Sequence, residues 1–297
     1  MQCGGSLIVA GSSGIPVSAD LTIGGDLFDQ GQLQGEHAVS VAGNARIAGD
    51  VRLDQLMVGG SLTLAPQAAL SVNANAPSAK REAIMIAPPC DCTGALDVAG
   101  AIAARANSND DAALALDPAN ALRALSAPIE LSLPCGRYFV TDVYAPRAIT
   151  LHITGRVALY VQNGIVIEGA GALTVDLADG AELDVFVGNS ISAGGPVSIG
   201  TPLAPTHTRL HFGGDDTVFF ASDTTLAATL YAPLADLVTE AKFELYGSAL
   251  VRHVAASQGL TLHYDRALAT DSCGAASCQQ DDDCASALRC DHGSCLP

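Results

Sequence analysis

The chain has 297 residues, of which 49% are hydrophobic, 4% aromatic and 15% charged, and its net charge of −17 comes from 31 acidic and 14 basic residues. No basic stripe is visible, which argues against nucleic acid and anionic lipid as partners. No apolar run reaches the length of about 18 residues that a transmembrane helix needs. A soluble or extracellular surface explains the acidic excess, and cation binding by acidic clusters is the alternative.

Residues 1–75 contain a repeat of short triplets in which apolar residues stand on both sides of a third residue. The triplets follow one another every five or six residues, at 45–47, 51–53, 56–58 and 62–64. Three steps give a period of 17 residues, as from Val39 to Leu56. Such a period predicts a β-solenoid, in which each coil has about three short strands and stacked coils bury one continuous core.

Residues 76–135 interrupt this rhythm and are predicted to be a linker with a helical insertion. Asp97 is suited to cap a short helix that ends near Ala106. Asp117, followed by a proline, predicts the start of a second helix with Leu122 and Leu125 on one face. We expect these helices to lie against the solenoid as a cover or a side lobe.

Residues 136–268 resume the solenoid and are predicted to form the main β-helix. Apolar residues alternate with polar ones at 157–161, 165–167, 173–177 and 183–187, as in half-buried strands. Leu226, Phe243 and Leu260 are again 17 residues apart and are predicted to stack in register on one inner face. The predicted fold class is therefore all-β, a parallel β-helix or β-solenoid with coils of about 17 residues, a short α-helical insertion and a small disulfide-rich C-terminal module.

Residues 130–268 also carry landmarks of a known domain family, at 134–138, 181–187, 231–233 and 263–265. With these landmarks the segment resembles a bacterial β-helix domain family of exported and pilus-associated proteins that has no established activity. The resemblance implies a right-handed β-helix on an exported, cell-surface protein. The rhythm of residues 1–75 is similar to that of the bactofilin-like solenoids.

Residues 269–297 have a different composition and are predicted to be a separate Cys-rich module. A module of this size buries too little core to fold alone, so disulfides are the expected staples. A zinc site that includes His292 is the alternative, although the spacing of known zinc sites is missing. The pairing of Cys278 with Cys290 and Cys284 with Cys295 is one of three that these four residues allow. The candidate disulfide cysteines of the module are Cys273, Cys278, Cys284, Cys290 and Cys295.

A second cysteine cluster consists of Cys90, Cys92 and Cys135. A disulfide from Cys135 to either of the others would tie the helical insertion to the main β-helix. A redox motif is the weaker alternative, because the pattern lacks a thioredoxin-like setting. Cys3 is left over, as a lipid-modified terminal residue, a partner of Cys273 or a free thiol. The cysteines favour export, although the first residues show neither the basic nor the apolar part of a signal peptide.

Several acidic and histidine residues are weak candidates for chemistry. Asp215, Asp216 and Asp223 resemble the paired carboxylates of glycosidases, but their surroundings are also typical of corners between strands. Residues 281–283 are three aspartates, which are half of a calcium site or a solvated charge run. His207 and His211 are predicted on a loop and a strand rather than as a metal pair. Residues 263–265 are predicted to close the last coil with hydrogen bonds.

We therefore predict no catalytic, cofactor-binding or metal-binding residue. The favoured function is that of a non-catalytic, exported, structural or adhesive cell-surface protein, whose partners are surface proteins or glycans and which is able to self-associate. The alternative is a carbohydrate-active β-helix enzyme, a polysaccharide lyase or hydrolase that uses surface carboxylates. An ice-binding protein ranks last, because the threonines form no ladder at the predicted period.

Overall fold

The computed structural model describes residues 7–9, 11–74, 76–86, 96–263, 289–291 and 294–296. A parallel sheet of 26 strands winds into a β-solenoid of about 12 turns, which confirms the predicted fold class apart from the Cys-rich module. Most of that module lies outside the described residues. Its described parts, residues 289–291 and 294–296, form two short antiparallel strands. The described residues contain no helix with the length and hydrophobicity of a membrane span.

The strands are short and follow one another closely along the chain. The N-terminal coils contain β1 (Leu7–Val9), β2 (Ile15–Val17), β3 (Leu21–Ile23), β4 (Leu27–Asp29), β5 (Leu33–Gly35), β6 (Ala38–Val41), β7 (Ala45–Ile47), β8 (Val51–Val58), β9 (Leu62–Leu64), β10 (Leu70–Ala74) and β11 (Ala79–Arg81). The main coils contain β12 (Ile129–Leu133), β13 (Gly136–Val140), β14 (Val143–Ala145), β15 (Ala148–Ile153), β16 (Arg156–Val161), β17 (Gly164–Ile167), β18 (Ala172–Leu177), β19 (Glu182–Val187), β20 (Ser190–Ala193), β21 (Val197–Ile199), β22 (Thr208–Phe212), β23 (Thr217–Phe220), β24 (Thr224–Thr239), β25 (Phe243–Ala256) and β26 (Leu260–His263). The C-terminal pair is β27 (Arg289–Asp291) and β28 (Ser294–Leu296).

Each coil contributes one strand segment to each of three faces. The first face contains β12, β15, β18, β21, β26, β3 and β6; the second contains β13, β16, β19, β22, β1, β4 and β7; the third contains β14, β17, β20, β23, β2 and β5. The long strands β24 and β25 bend through all three faces. Alternate residues of a strand point inward, as in β7, where Ala45 and Ile47 are fully buried. Ladders of Leu, Val, Ile and Ala therefore fill a thin core.

The order in which the coils stack differs from the order of the chain. Leu21 in β3 pairs with Leu260 in β26, and Leu7 in β1 lies between Ala249 in β25 and Leu27 in β4. The N-terminal coils therefore continue the stack beyond the last main coil. One turn, which we call the composite coil, takes its first face from β26 and its other two faces from β1 and β2. The two chain parts share one core.

The coil length is not constant. Phe243 pairs with Leu260, as the predicted period requires. Val197 pairs with Thr224, which is a longer step, because a loop with a short 3-10 turn at Pro205–His207 lengthens that coil. Leu226 is buried on the same inner side but pairs with Leu245, so its predicted register with Phe243 is wrong. Longer strands, such as β15 and β16, and loops at corners both lengthen the main coils, which is why one period does not describe the whole chain.

One helix, α1 (Val98–Arg105), lies on the outside of the second face. Its predicted cap is confirmed, since Asp97 Oδ1 accepts a hydrogen bond from the Gly100 backbone N–H at 2.8 Å. Val98 and Ile102 are buried against aromatic residues of β13, β16 and β19. The helix is therefore a side lobe of the main coils.

The predicted second helix does not form. Asp117 Oδ1 instead accepts from the Ala119 N–H at 3.1 Å within a turn, an alternative to helix capping that is open to Asp. Leu122 is buried in the solenoid core, whereas Leu125 is exposed. The Ala124 N–H donates to the Tyr144 carbonyl at 2.9 Å, so the segment closes the end of the solenoid at β14.

The opposite end of the solenoid, at β10 and β11, is closed by a side chain. The Arg81 guanidinium donates to the carbonyl of Ala65 at 3.1 Å and to that of Ala68. Exposed Pro and Lys residues are typical of protected sheet edges, and Lys80 is exposed here. The Cys-rich tail, residues 269–297, is also predicted to cover such an edge, and most of it lies outside the described residues.

Candidate functional site

Most of the predicted disulfide cysteines fall outside what the structure describes. Cys3, Cys90, Cys92, Cys273, Cys278 and Cys284 lie outside the described residues. Cys290 and Cys295 are described by their backbone alone, directly opposite each other in β27 and β28. Cys135 is exposed, and its Sγ accepts from the Arg156 N–H at 3.2 Å. Cys135 has no disulfide partner within the described residues, and the disulfides remain predictions.

The acidic candidates occupy corners between strands. Asp215 and Asp216 lie in the exposed loop between β22 and β23, and Asp223 is exposed just before β24. Asp216 Oδ1 accepts from the Thr217 N–H at 2.8 Å, which is a local turn contact. The three aspartates at 281–283 lie outside the described residues.

The histidine candidates are also placed separately. His207 lies in the 3-10 turn and His211 in β22. His263 ends β26 and stacks on Tyr246, with ring centroids 4.0 Å apart, while residues 264 and 265 lie outside the described residues. Within the part of the chain that the structure describes, no group of three or more His, Cys, Asp or Glu residues is placed to hold a metal ion.

A row of hydroxyl groups on the first face was missed by the sequence analysis. Thr150, Thr174, Ser198 and Thr225 are in-register neighbours on four adjacent strands, where the coils are longer than the predicted period. Glu244 interrupts the row on the next strand. The row is only one residue wide, because the outward positions beside it include His152 and Asp176. This is not the broad, flat Thr surface that an ice-binding function requires.

The strongest cluster of charges lies on the outside of the second face, where β16, β19 and β22 run side by side. We call Arg156, Glu182, Asp184, Arg209 and His211 the ionic cluster. Arg209 Nη2 lies 3.0 Å from Asp184 Oδ2 and 2.8 Å from Glu182 Oε2. Strand register creates these contacts, since Asp184 pairs with Arg209 and Arg156 with Glu182.

The electrostatics of the ionic cluster hold both central charges fixed. The Asp184 side chain is 7% exposed. Its burial would raise the pKa, but the His211 imidazole and the Arg209 guanidinium outweigh burial and hold the pKa of this carboxyl well below its usual range. Burial would lower the pKa of Arg209, yet Asp184 and Glu182 raise it above its ordinary value. Neither group exchanges a proton near neutral pH.

An aromatic ladder runs beside the ionic cluster. Its members are in-register outward residues of successive strands, Phe139, Tyr160, Phe186, His211 and Tyr231. The rings of Tyr160 and Phe186 stack with centroids 4.8 Å apart, and those of Phe186 and His211 at 4.7 Å. Helix α1 covers the first three members. The ladder therefore anchors the helix to the solenoid.

His211 and Arg209 both face the Asp184 carboxylate. His211 Nε2 lies 3.6 Å from Asp184 Oδ1, an arrangement that also orients the imidazole in hydrolases. However, His211 Nδ1 is buried and has no hydrogen-bond partner among the described residues, so no hydroxyl or thiol nucleophile of that part donates to it. Asp184 is meanwhile committed to Arg209. The signal for this site in the sequence is the alternation of outward charges at 182 and 184 and at 209 and 211.

The comparisons with known proteins give one match. Residues 95–271 match a family model that is described as a domain of unknown function, DUF7305, while no curated protein and no solved structure matches. The match covers α1, the main coils and the ionic cluster, and it leaves the N-terminal coils outside. It extends over more than half of the chain, and the protein therefore belongs to the DUF7305 family.

Proposed function

We propose that this protein is a non-catalytic, exported β-solenoid with a structural or adhesive role at the cell surface. The observation that carries the proposal is the ionic cluster, in which the buried Asp184 carboxylate is paired with the Arg209 guanidinium. A catalytic site instead needs a group that is free to change its charge near neutral pH. Asp184 and Arg209 have no such freedom. Burial raises the pKa of Asp29 to about 7, but this side chain is fully buried in the core, out of reach of a substrate.

The composite coil supports a mechanical role. The first and last coils of the described chain are both held by parallel strand pairing within one stack. Separating them requires breaking backbone ladders and exposing core residues such as Leu21 and Leu260 to water. A continuous stack of paired coils suits a component that bears load or presents a surface.

The surface and the cysteines support export. The net charge of −17 suits a well-solvated surface. Nine cysteines in a chain with a small Cys-rich terminal segment are more typical of oxidising compartments than of the cytosol.

The carbohydrate-active alternative gains no support from the described residues. A glycosidase needs two carboxylates on either side of a bond, one of them able to donate a proton. Glu182 and Asp184 are both bound to Arg209. Asp216 is occupied by a contact within its own turn.

The proposal is tested by cell-surface display and by activity. We expect an epitope-tagged chain, produced in a bacterium from its complete native reading frame, to be accessible to external protease. We also expect no release of reducing sugars from polygalacturonate, alginate or a neutral β-glucan. The matched control is the triple variant Asp215→Asn, Asp216→Asn and Asp223→Asn, which should behave like the wild type. Retention inside the cell, or cleavage that the triple variant loses, would overturn the proposal.

A further inference from the structure

An open groove of about 740 Å³ lies on the third face of the N-terminal coils. This volume is in the range of small-ligand sites, about 300–1,000 Å³. Its wall on one side is formed by Gln34, Arg52 and Ser71, and its wall on the other by Glu36, Asp54 and Asn73. We call these six residues the polar groove. None of them takes part in the ionic cluster, and the groove lies outside the family match.

The repeat of the solenoid builds the polar groove. Gln34 pairs with Arg52, and Arg52 with Ser71, so one wall is a row of outward residues on adjacent strands. The residues of the other wall follow two positions later in each coil. Leu53 between the walls points into the core, so backbone forms the floor there. With Pro16 on the strand before Gln34, the groove crosses four strands, which at about 4.8 Å per strand gives a length of about 14 Å.

Several polar groups in the groove have no partner. The side chains of Gln34, Glu36 and Ser71 make no hydrogen bond or ion pair within the described residues. Other pairs fix the walls, because Arg52 Nη2 binds Asp50 Oδ2 at 3.1 Å and Asn73 Nδ2 donates to Asp54 Oδ1 at 2.7 Å. The groove therefore offers an amide, a carboxylate and a hydroxyl on an ordered frame.

We infer that the polar groove binds a neutral, linear oligosaccharide. Glu36, Asp54 and the neighbouring Asp50 outnumber Arg52, so a polyuronate or a phosphate polymer is repelled. The exposed walls are polar, so a lipid or an apolar peptide gains little from burial there. Sugar hydroxyls both donate and accept hydrogen bonds, which matches side chains that repeat at the spacing of the strands.

This inference rests on the proposed surface role and names its partner class. The described residues that line the groove include no aromatic ring to stack on a sugar, so each contact is weak and the expected Kd is in the millimolar range. Many copies on one surface would compensate, because linked weak sites gain avidity from their effective concentration. An adhesive function is compatible with such single-site affinities.

The test uses the purified full chain and defined probes. Cellohexaose, maltohexaose and laminarihexaose are titrated, with hexagalacturonate as the anionic comparator, and binding is followed by NMR chemical shifts. At least one neutral probe should bind, and hexagalacturonate should bind more weakly. Gln34→Ala with Ser71→Ala should weaken binding about tenfold, since two hydrogen bonds are lost. Thr22→Ala with Ser198→Ala, on the first face, is the matched control and should change nothing.

Three results would overturn the inference: no neutral probe binds, hexagalacturonate binds best, or the groove variant binds like the wild type. Unchanged thermal melting of both double variants excludes loss of fold as the cause. The result is separable from the proposed function, because binding by purified protein does not depend on where the cell places it. Binding without surface display would sink the surface role alone, and display without binding would sink the groove.

Discussion

The N-terminal coils and the main coils build the same three faces with different corners. In the N-terminal coils, corner side chains accept backbone N–H groups of the next coil, as Asp26 does from Asn44 at 2.6 Å and Asp50 from Ala69 at 2.8 Å. The main coils are longer and carry loops, helix α1 and the ionic cluster outside the sheet. Corner side chains thus link neighbouring short coils, whereas the ionic cluster links long coils across an outer face.

The largest effect is expected where the two regions meet. Phe243 is fully buried, pairs with Leu260 and has its ring centroid 5.2 Å from that of Phe220. Phe243→Ala should lower the free energy of unfolding by about 3–5 kcal/mol, because it removes a large apolar side chain and leaves a cavity. Chemical denaturation measures this loss.

Hydrogen exchange on the same variant tests whether the regions are one unit. Because the composite coil joins them, amides of β5 and β20 should lose protection together. Loss confined to the main coils would break the view that both regions share one cooperative core.

A buried carboxyl distinguishes the core of the N-terminal coils. Asp29 points inward between Val9 and Ile47, and its Oδ1 accepts from the Gly31 N–H at 2.9 Å while Oδ2 is buried without a partner among the described residues. Burial raises the pKa of Asp29 to about 7. The folded state therefore prefers the protonated acid, so the stability that Asp29 contributes is fully present below a pH of about 4 and is lost as the pH rises to about 7.

The lost stability should reach up to about 4 kcal/mol. Asp29→Asn keeps the acceptor for Gly31 and cannot ionise, so the difference between wild type and variant should change by this amount between pH 4 and pH 8. Urea denaturation across that range measures it. A difference that is independent of pH would mean that Asp29 titrates normally in the folded protein.

The ionic cluster of the main coils should contribute somewhat less to the free energy of unfolding. Arg209→Met leaves Asp184 buried without its cation, which should cost about 3 kcal/mol at pH 7, at the lower end for buried pairs because the Arg209 side chain is 31% exposed. The double variant Arg209→Met and Asp184→Leu is the control and should recover most of the loss. Equal losses in both would show that packing, not charge, accounts for the contribution of Arg209 to stability.

Strand positions followed from the sequence, whereas the stacking order did not. Alternation of apolar residues marks strands such as β7 and β16 wherever the chain runs. Pairing of β26 with β3 leaves no trace in such a pattern, because an inward Leu suits any neighbouring coil equally. The ionic cluster was missed for a related reason, since Asp184 meets Arg209 across a coil that is longer than the predicted period.

The helix-capping signals in the sequence predicted a helix correctly only where no tertiary pairing competed with it. Asp97 caps α1 as predicted, because its free N–H partner at Gly100 lies at the start of a helix that packs on the second face. Asp117 carries the same signal, but the chain beyond it must close the end of the solenoid and so leaves the helical path. Tertiary pairing of 122–124 with β14 overrode the local preference.

The smallest effect is expected at a corner of the N-terminal coils. Asn44 Oδ1 accepts from the Ser61 N–H at 3.0 Å and from Ser61 Oγ at 2.8 Å, which links two coils at an exposed position. Asn44→Ala should cost about 1 kcal/mol, since water replaces part of what the side chain provides. Thr22→Ala, an exposed outward residue without such a bond, is the control and should stay within about 0.5 kcal/mol. Urea denaturation of both variants shows whether the Asn44 side chain stabilises the contact between the two coils or is only solvated. If the two losses are equal, the corner side chains of the short coils contribute no more than any outward residue, and the contrast with the long coils reduces to the length of their strands and loops.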